Sequence, residues 1–123
     1  MEPPIKTALD RADELLSRAN NELCKPEEDV VPYSICQSAY YAIVNYLGSF
    51  LLDNGLEFQE STSVPDLLKS CREIDDKFNE LHLAPLYNPT QTEDVWMNLD
   101  TANDYLAMAE NTRKMVRSVV IKN

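Results

Sequence analysis

The chain contains one histidine, His82, and histidine is the residue type best suited to acid–base chemistry near neutral pH. A general base also needs a positioned partner, and neither a serine nor a cysteine adjoins His82 in the sequence. We therefore predict no catalytic residue, and we interpret His82 as a structural or ligand-contacting side chain.

Arg113 is a second candidate, because it interrupts the apolar face of the predicted last helix. A guanidinium buried without a partner would be too costly, so we expect a carboxylate, a carbonyl or a ligand anion within its reach. Two interpretations stay open. In one, the stem lies over the core and the head group finds an acid; in the other, Arg113 binds an anion.

Metal and cofactor chemistry has little support in the sequence. The three cysteines, Cys24, Cys36 and Cys71, show no CxxC spacing, and a single histidine leaves few ligands for zinc. We predict no metal site and no cofactor, and we expect free thiols. No apolar leader precedes Ile5, so a reducing, cytoplasmic location is expected.

The formal net charge of −10 disfavours two classes of partner. Nucleic acids are bound by clustered Lys and Arg, so we expect no DNA-binding surface. Anionic membrane surfaces are disfavoured for the same reason. A local basic pocket remains compatible with this composition.

The stretch from Val30 to Leu52 contains no charged residue and is predicted to be the central helix. Pro32 suits its first turn, and Gly55 suits a left-handed residue just after its end. It is too polar for a membrane span, since it carries serines, amides and tyrosines. One face is an ordinary core stripe. The opposite face is also uncharged, which predicts that something covers it: Ser38, Tyr41, Asn45, Ser49 and Leu52.

Three further helices complete a single all-α domain spanning residues 1–123. Apolar residues at helical spacing predict a first helix from Ile5 to Leu23. A third helix, capped by Ser63, is predicted to end near His82. The last is predicted from about Glu93 to Val120, with Thr92 as its cap.

The segment Ser38-Ala39-Tyr40-Tyr41-Ala42, the apolar run that follows it and the turn Asn54-Gly55-Leu56-Glu57 resemble the HEPN family of small helical domains. This resemblance implies an up-and-down four-helix bundle that forms a homodimer. It also implies a place in toxin–antitoxin or defence systems, beside a nucleotidyltransferase partner. Active members of the family are RNases with an Arg followed, after four to six residues, by a His.

The chain departs from that RNase motif, because Lys77 stands where the Arg preceding His82 would be. Arg72 lies too far back in the sequence, and Asn45 falls on the face where some members carry a histidine. Three hypotheses follow. The first is a non-catalytic HEPN-like partner protein that binds a nucleotide or a nucleotidyltransferase. The second is an RNase toxin that uses His82, and the third is a structural interaction module.

The uncharged second face of the central helix predicts a homodimer. Small side chains there allow close approach of a second backbone, and Asn45 is able to hydrogen-bond across a two-fold axis. The rival explanation is that another segment of the same chain covers this face. Sedimentation equilibrium at tens of micromolar should give a dimer mass, and a monomer mass would contradict the prediction.

Overall fold

The computed structural model describes residues 4–83, 86 and 98–120. All regular structure in these residues is helical, which confirms the predicted all-α class. None of the described helices combines the length and apolarity needed to cross a bilayer. The elements are α1 (Pro4–Leu23), α2 (Pro32–Asp53), α3 (Val64–Ile74) and α4 (Leu99–Val120), with 3₁₀ turns at Glu27–Asp29 and Asp76–Glu80.

The two ends of α2 are formed by the residues that the sequence indicated. Pro32 occupies its first turn, where no backbone donor is lost. Gly55 adopts a φ of +80°, a conformation that glycine takes without steric cost. The amides of Gly55 and Leu56 then donate to the carbonyls of Leu52 (3.1 Å) and Leu51 (2.9 Å). This pattern is the Schellman motif, and it ends the helix.

Helix α1 runs antiparallel to α2. Near one end of the pair, the Val31 amide donates to the Glu22 carboxylate at 3.0 Å. Farther along, the Tyr46 hydroxyl donates to Asp13 at 2.5 Å. The same Glu22 carboxylate accepts from Lys25 Nζ at 3.0 Å, and these two hydrogen bonds lower the pKa of Glu22. One side chain of α1, Glu22, therefore holds both ends of the connection between α1 and α2.

The direction of α3 differs from the predicted up-and-down alternation. The Val64 backbone lies by the Tyr40 hydroxyl, and the Cys71 thiol lies 3.8 Å from the Leu47 carbonyl oxygen. Residue numbers thus rise together along both helices, so α3 runs in the same sense as α2. The chain reaches this arrangement because the segment after α2 returns along the helix before α3 begins.

Helix α3 begins as predicted, since Ser63 Oγ accepts from the Asp66 amide at 3.4 Å. It ends at Ile74 rather than near His82, so the predicted third helix was too long. The Asp75 carboxylate accepts from the Lys77 amide at 2.9 Å and starts the 3₁₀ turn there. A new cap at this point competes with continuation of the α-helix.

Within the described residues α4 begins at Leu99, and the predicted start, Glu93, lies outside them. The carboxamide oxygen of Asn98 accepts from the amides of Asp100 (2.7 Å) and Thr101 (3.4 Å), which is the usual role of an Asn N-cap. The predicted cap Thr92 lies outside the described residues.

Residues 55–62, here called the strap, cover part of the second face of α2. The Phe58 ring lies so close to Gly48 that a Cβ added at this glycine would stand 2.5 Å from three ring atoms. Glu60 accepts from Asn45 Nδ2 at 2.7 Å and lies 3.6 Å from the Arg11 guanidinium. The strap is therefore anchored to α2 by one aromatic contact and to α2 and α1 by one carboxylate.

Replacing Gly48 by alanine should test the aromatic contact. Alanine normally stabilises a helix interior by roughly 0.5–1 kcal/mol relative to glycine. Here the added methyl group displaces the Phe58 ring, and overpacking typically costs about 1–3 kcal/mol, so we expect Gly48→Ala to lower the free energy of unfolding. Urea denaturation measures the change.

The matched control is Gly48→Ala in a Phe58→Ala background, where the ring is gone. In that background the substitution should stabilise the protein by about the ordinary propensity difference, roughly 0.5–1 kcal/mol. An equal stabilisation in both backgrounds would contradict the packing of Phe58 on Gly48.

Candidate functional site

The residues predicted to form a dimer face do not remain uncovered as a set. Asn45 is 4% exposed and Ser49 is fully buried within the single chain. The Ser49 hydroxyl donates to the Tyr46 carbonyl at 2.6 Å, and Asn45 is held by the strap. The rival explanation, coverage by the same chain, therefore holds for these two residues.

The remaining three residues of that face, Ser38, Tyr41 and Leu52, are half-buried. Tyr41 packs edge-on against Tyr40, with the ring centroids 5.3 Å apart. An open apolar groove also lies between α1, α2 and the strap, and Leu52 lines it together with Ala8. Whatever docks in this groove would meet those side chains together with part of Asn45, whereas Ser49 is out of reach.

Arg113 does find an acid, as expected from its position. Its Nε atom lies 3.7 Å from Oδ1 of Asp13, while its side chain remains 41% exposed. Arg117, one turn farther along α4, donates to the other oxygen of the same carboxylate. With the Tyr46 hydroxyl, Asp13 thus collects contacts from α2 and α4, which makes it the polar junction of three helices.

Burial dominates the chemistry of this junction. Tyr46 is fully buried, and its pKa is raised by that burial first and by the hydrogen bond to Asp13 second. The phenol therefore stays protonated and serves as a hydrogen-bond donor. One guanidinium nitrogen, Arg117 Nε, is buried without a partner among the described residues. These contacts favour a structural role for Arg113.

His82 and Arg113 are not brought together. His82 is exposed and lines a cleft of about 470 Å³ between the Asp76–Glu80 turn and α4. One wall carries the side chains of the turn segment and the other those of α4. The lining residues are Lys77, Glu80, Leu81, His82, Met108, Asn111, Lys114, Met115 and Ser118.

Positive charge is available at this cleft. Among the described lysines, Lys25 pairs with Glu22 and Lys6 has a partner, whereas Lys69, Lys77 and Lys114 make no ion pair. Two of those three ammonium groups line the cleft beside His82, against one carboxylate, Glu80. Such a group of donors suits an anion, for which a lysine acts as a point charge.

Part of the lining of the cleft is apolar. Met108, Met115 and Leu81 lie among its lining residues, and methionine adapts readily to flat or irregular ligand surfaces. The volume falls within the range of about 300–1,000 Å³ that is common for small-molecule sites. The arrangement therefore accommodates a ligand with an apolar body and an anionic group.

The two buried cysteines offer no alternative site. Cys36 and Cys71 are buried and unpaired, and burial raises their pKa to about 11 and about 12 respectively. Both are therefore neutral thiols at neutral pH, which are poor nucleophiles and poor metal ligands. Within the residues described, no group of three His, Cys, Asp or Glu side chains is placed to hold a metal ion.

Comparison of the chain with family models, with curated proteins and with solved structures found no match.

The sequence pointed to His82 and Lys77, but it did not indicate the partner wall. Lys114 lies in the C-terminal part of its helix, where the helix dipole favours a cation whether or not it contributes to a site. Its spacing to Asn111 and Ser118 was a usable signal, because residues three and four apart share one helix face. That face is polar at 111, 114 and 118 and carries methionines at 108 and 115.

Replacing Asp13 by asparagine should test the junction of α1, α2 and α4. The amide retains the shape but removes the charge that two guanidinium groups share. We expect a loss of about 1–2 kcal/mol in the free energy of unfolding, as for a hydrogen-bonded charged group.

Glu14→Gln is the matched control, because Glu14 forms only an exposed pair with Arg18 at 2.6 Å. Exposed pairs of this kind contribute roughly 0.3–0.5 kcal/mol, so the control should shift denaturation very little. Equal denaturation midpoints for the two variants would show that Asp13 is not a junction.

Proposed function

We propose that this protein is a non-catalytic, HEPN-like binding protein whose cleft at His82 receives the phosphate of a nucleotide. The observation that carries the proposal is the pair of lysines without ion-pair partners in the described residues, Lys77 and Lys114, at the same cleft as the single histidine. In a chain of net charge −10, a local excess of cations is distinctive, because it opposes the overall field.

The chemistry of the lining supports a nucleotide over a bare anion. Two methionines and a leucine offer an apolar surface for a base, while Asn111 and Ser118 supply hydrogen-bonding groups beside it. A phosphate placed at the lysine side would leave the base on the methionine side.

The role of His82 in this proposal is contact rather than catalysis. No side chain in the described part of the chain hydrogen-bonds to its ring, so nothing there fixes its tautomer or orientation. A general base is normally oriented by such a partner. Lys77 also occupies the place of the arginine in the RNase motif, and both facts weigh against the RNase alternative.

The proposal retains a partner surface on α2. Ser38, Tyr41 and Leu52 are its accessible members, and Leu52 continues into the groove against α1. A second copy of the chain is the occupant that we propose for this face. A nucleotidyltransferase, the partner implied by the HEPN resemblance, is the proposed binding partner of the assembled protein.

Isothermal titration of the full chain with AMP and with inorganic pyrophosphate tests the cleft. We expect saturable binding of both, and we expect Lys77→Met and Lys114→Met each to weaken it about fivefold to tenfold, as the loss of a charge-assisted contact implies. Binding should also weaken as salt is raised, because the contact is electrostatic.

Lys69→Met is the control, because Lys69 is an exposed lysine that makes no ion pair in the described residues and does not line the cleft. It removes the same charge from the same chain. Equal weakening of binding by all three substitutions would show that only the net charge of the protein matters, and this would contradict a site at the cleft.

A further inference from the structure

One wall of the cleft is clamped by an arginine that does not line it. Arg72, in the last turn of α3, donates from Nε to the Phe78 carbonyl at 3.2 Å and from Nη2 to the Leu81 carbonyl at 3.0 Å. Leu81 directly precedes His82 in the chain. A residue that is ten positions from the histidine in sequence thus holds the backbone beside it.

The same wall is also fixed by one other side-chain hydrogen bond and by apolar packing. The Asp75 carboxylate accepts a hydrogen bond from the Lys77 amide. The buried Phe78 ring packs against Phe50 of α2, with the two ring centroids 4.6 Å apart. Both anchors act at or before residue 78. Beyond that point, the side chains of Leu81 and Leu83, on either side of His82, are buried in the core. Among the described residues, the side-chain hydrogen bond to the backbone of this part of the wall is the one from Arg72 to Leu81.

The guanidinium group is suited to this task in a way that an ammonium group is not. Its planar fork presents several N–H donors in fixed directions, so one side chain reaches two carbonyls at once. Arginine at the C-terminal end of α3 is also favourable with respect to the helix dipole. Arg72 is therefore well placed at this helix end, and its two hydrogen bonds connect the wall segment to α3.

We propose that Arg72 is a positioning residue of the cleft, setting the place of His82 opposite Lys114 by clamping the carbonyls of Phe78 and Leu81. The inference rests on the proposed function, since it concerns how the same cleft is kept in shape for its ligand. Arg72 acts through the backbone and makes no contact with the ligand.

Two substitutions separate positioning from charge. Arg72→Lys keeps the positive charge but loses the fork, whereas Arg72→Met loses both. If Arg72 positions the wall, both variants should bind pyrophosphate at least about fivefold more weakly than the wild type, since each loses hydrogen bonds of the charged class. If Arg72→Lys bound pyrophosphate as tightly as the wild type, only the positive charge of Arg72 would matter, and the inference would be overturned.

Arg18→Met serves as the control for the loss of an arginine, because Arg18 forms an exposed pair with Glu14 away from this cleft. Its pyrophosphate affinity should stay close to that of the wild type. A loss equal to that of Arg72→Met would also count against positioning.

A measurement without ligand keeps the inference testable on its own. The Leu81 amide donates to the Phe78 carbonyl at 3.2 Å, so its hydrogen exchange reports the order of the clamped segment. We expect exchange at Leu81 to accelerate at least about tenfold in both Arg72 variants, with little change in the core of α2. Unchanged exchange at Leu81 overturns the inference, whereas failure of wild-type protein to bind pyrophosphate overturns the proposed function.

Discussion

Ten consecutive residues of α2, from Ala42 to Leu51, are buried. A helix presents a new direction every residue, so an unbroken buried run of this length requires cover on every side. Most of the arrangement follows from that constraint. Helices α1 and α4 supply the larger contacts, α3 supplies a smaller one, and the strap closes the remaining side with Phe58 and Glu60. This buried run carries no charged residue, because none of its positions offers an ion a solvated place.

The same constraint decides where polar chemistry is found. Tyr46 is fully buried in α2, so its hydroxyl requires a partner, and Asp13 of α1 provides one. The Asp13 carboxylate in turn pairs with Arg113 and Arg117 of α4, so both arginines have a structural role. Two lysines without an ion pair in the described residues, Lys77 and Lys114, lie where the Asp76–Glu80 turn meets the opposite flank of α4. Because Arg113 and Arg117 contact Asp13, the positive charge at the candidate site comes from lysines instead.

Local signals in the sequence predicted what local interactions decide. Pro32, Gly55 and Ser63 mark helix ends through contacts within a few residues, and the structure bears each of them out. The class of fold and the buried face of α2 followed from periodicity. The end of α3 did not, because a continuous apolar spacing conceals the competing cap at Asp75.

Contacts between distant residues were beyond sequence reasoning. Nothing in the sequence near Asp13 shows that Arg117 lies against it from the far end of the chain. The strap has no periodicity, so its packing on Gly48 and Asn45 left no pattern to detect, and the predicted dimer face was too large as a result. His82 was found because it is the single histidine, whereas its juxtaposition with Lys114 depends on the whole fold.

The central claim is that the cleft at His82 receives an anionic ligand, and the single histidine makes it directly measurable. Its imidazole carbon-bound protons give one set of resonances in a ¹H–¹³C spectrum of the full chain. On titration with pyrophosphate, these resonances should shift in a saturable way, with the dissociation constant that calorimetry gives. Saturable binding that leaves the His82 resonances unmoved would place the ligand elsewhere and contradict the account.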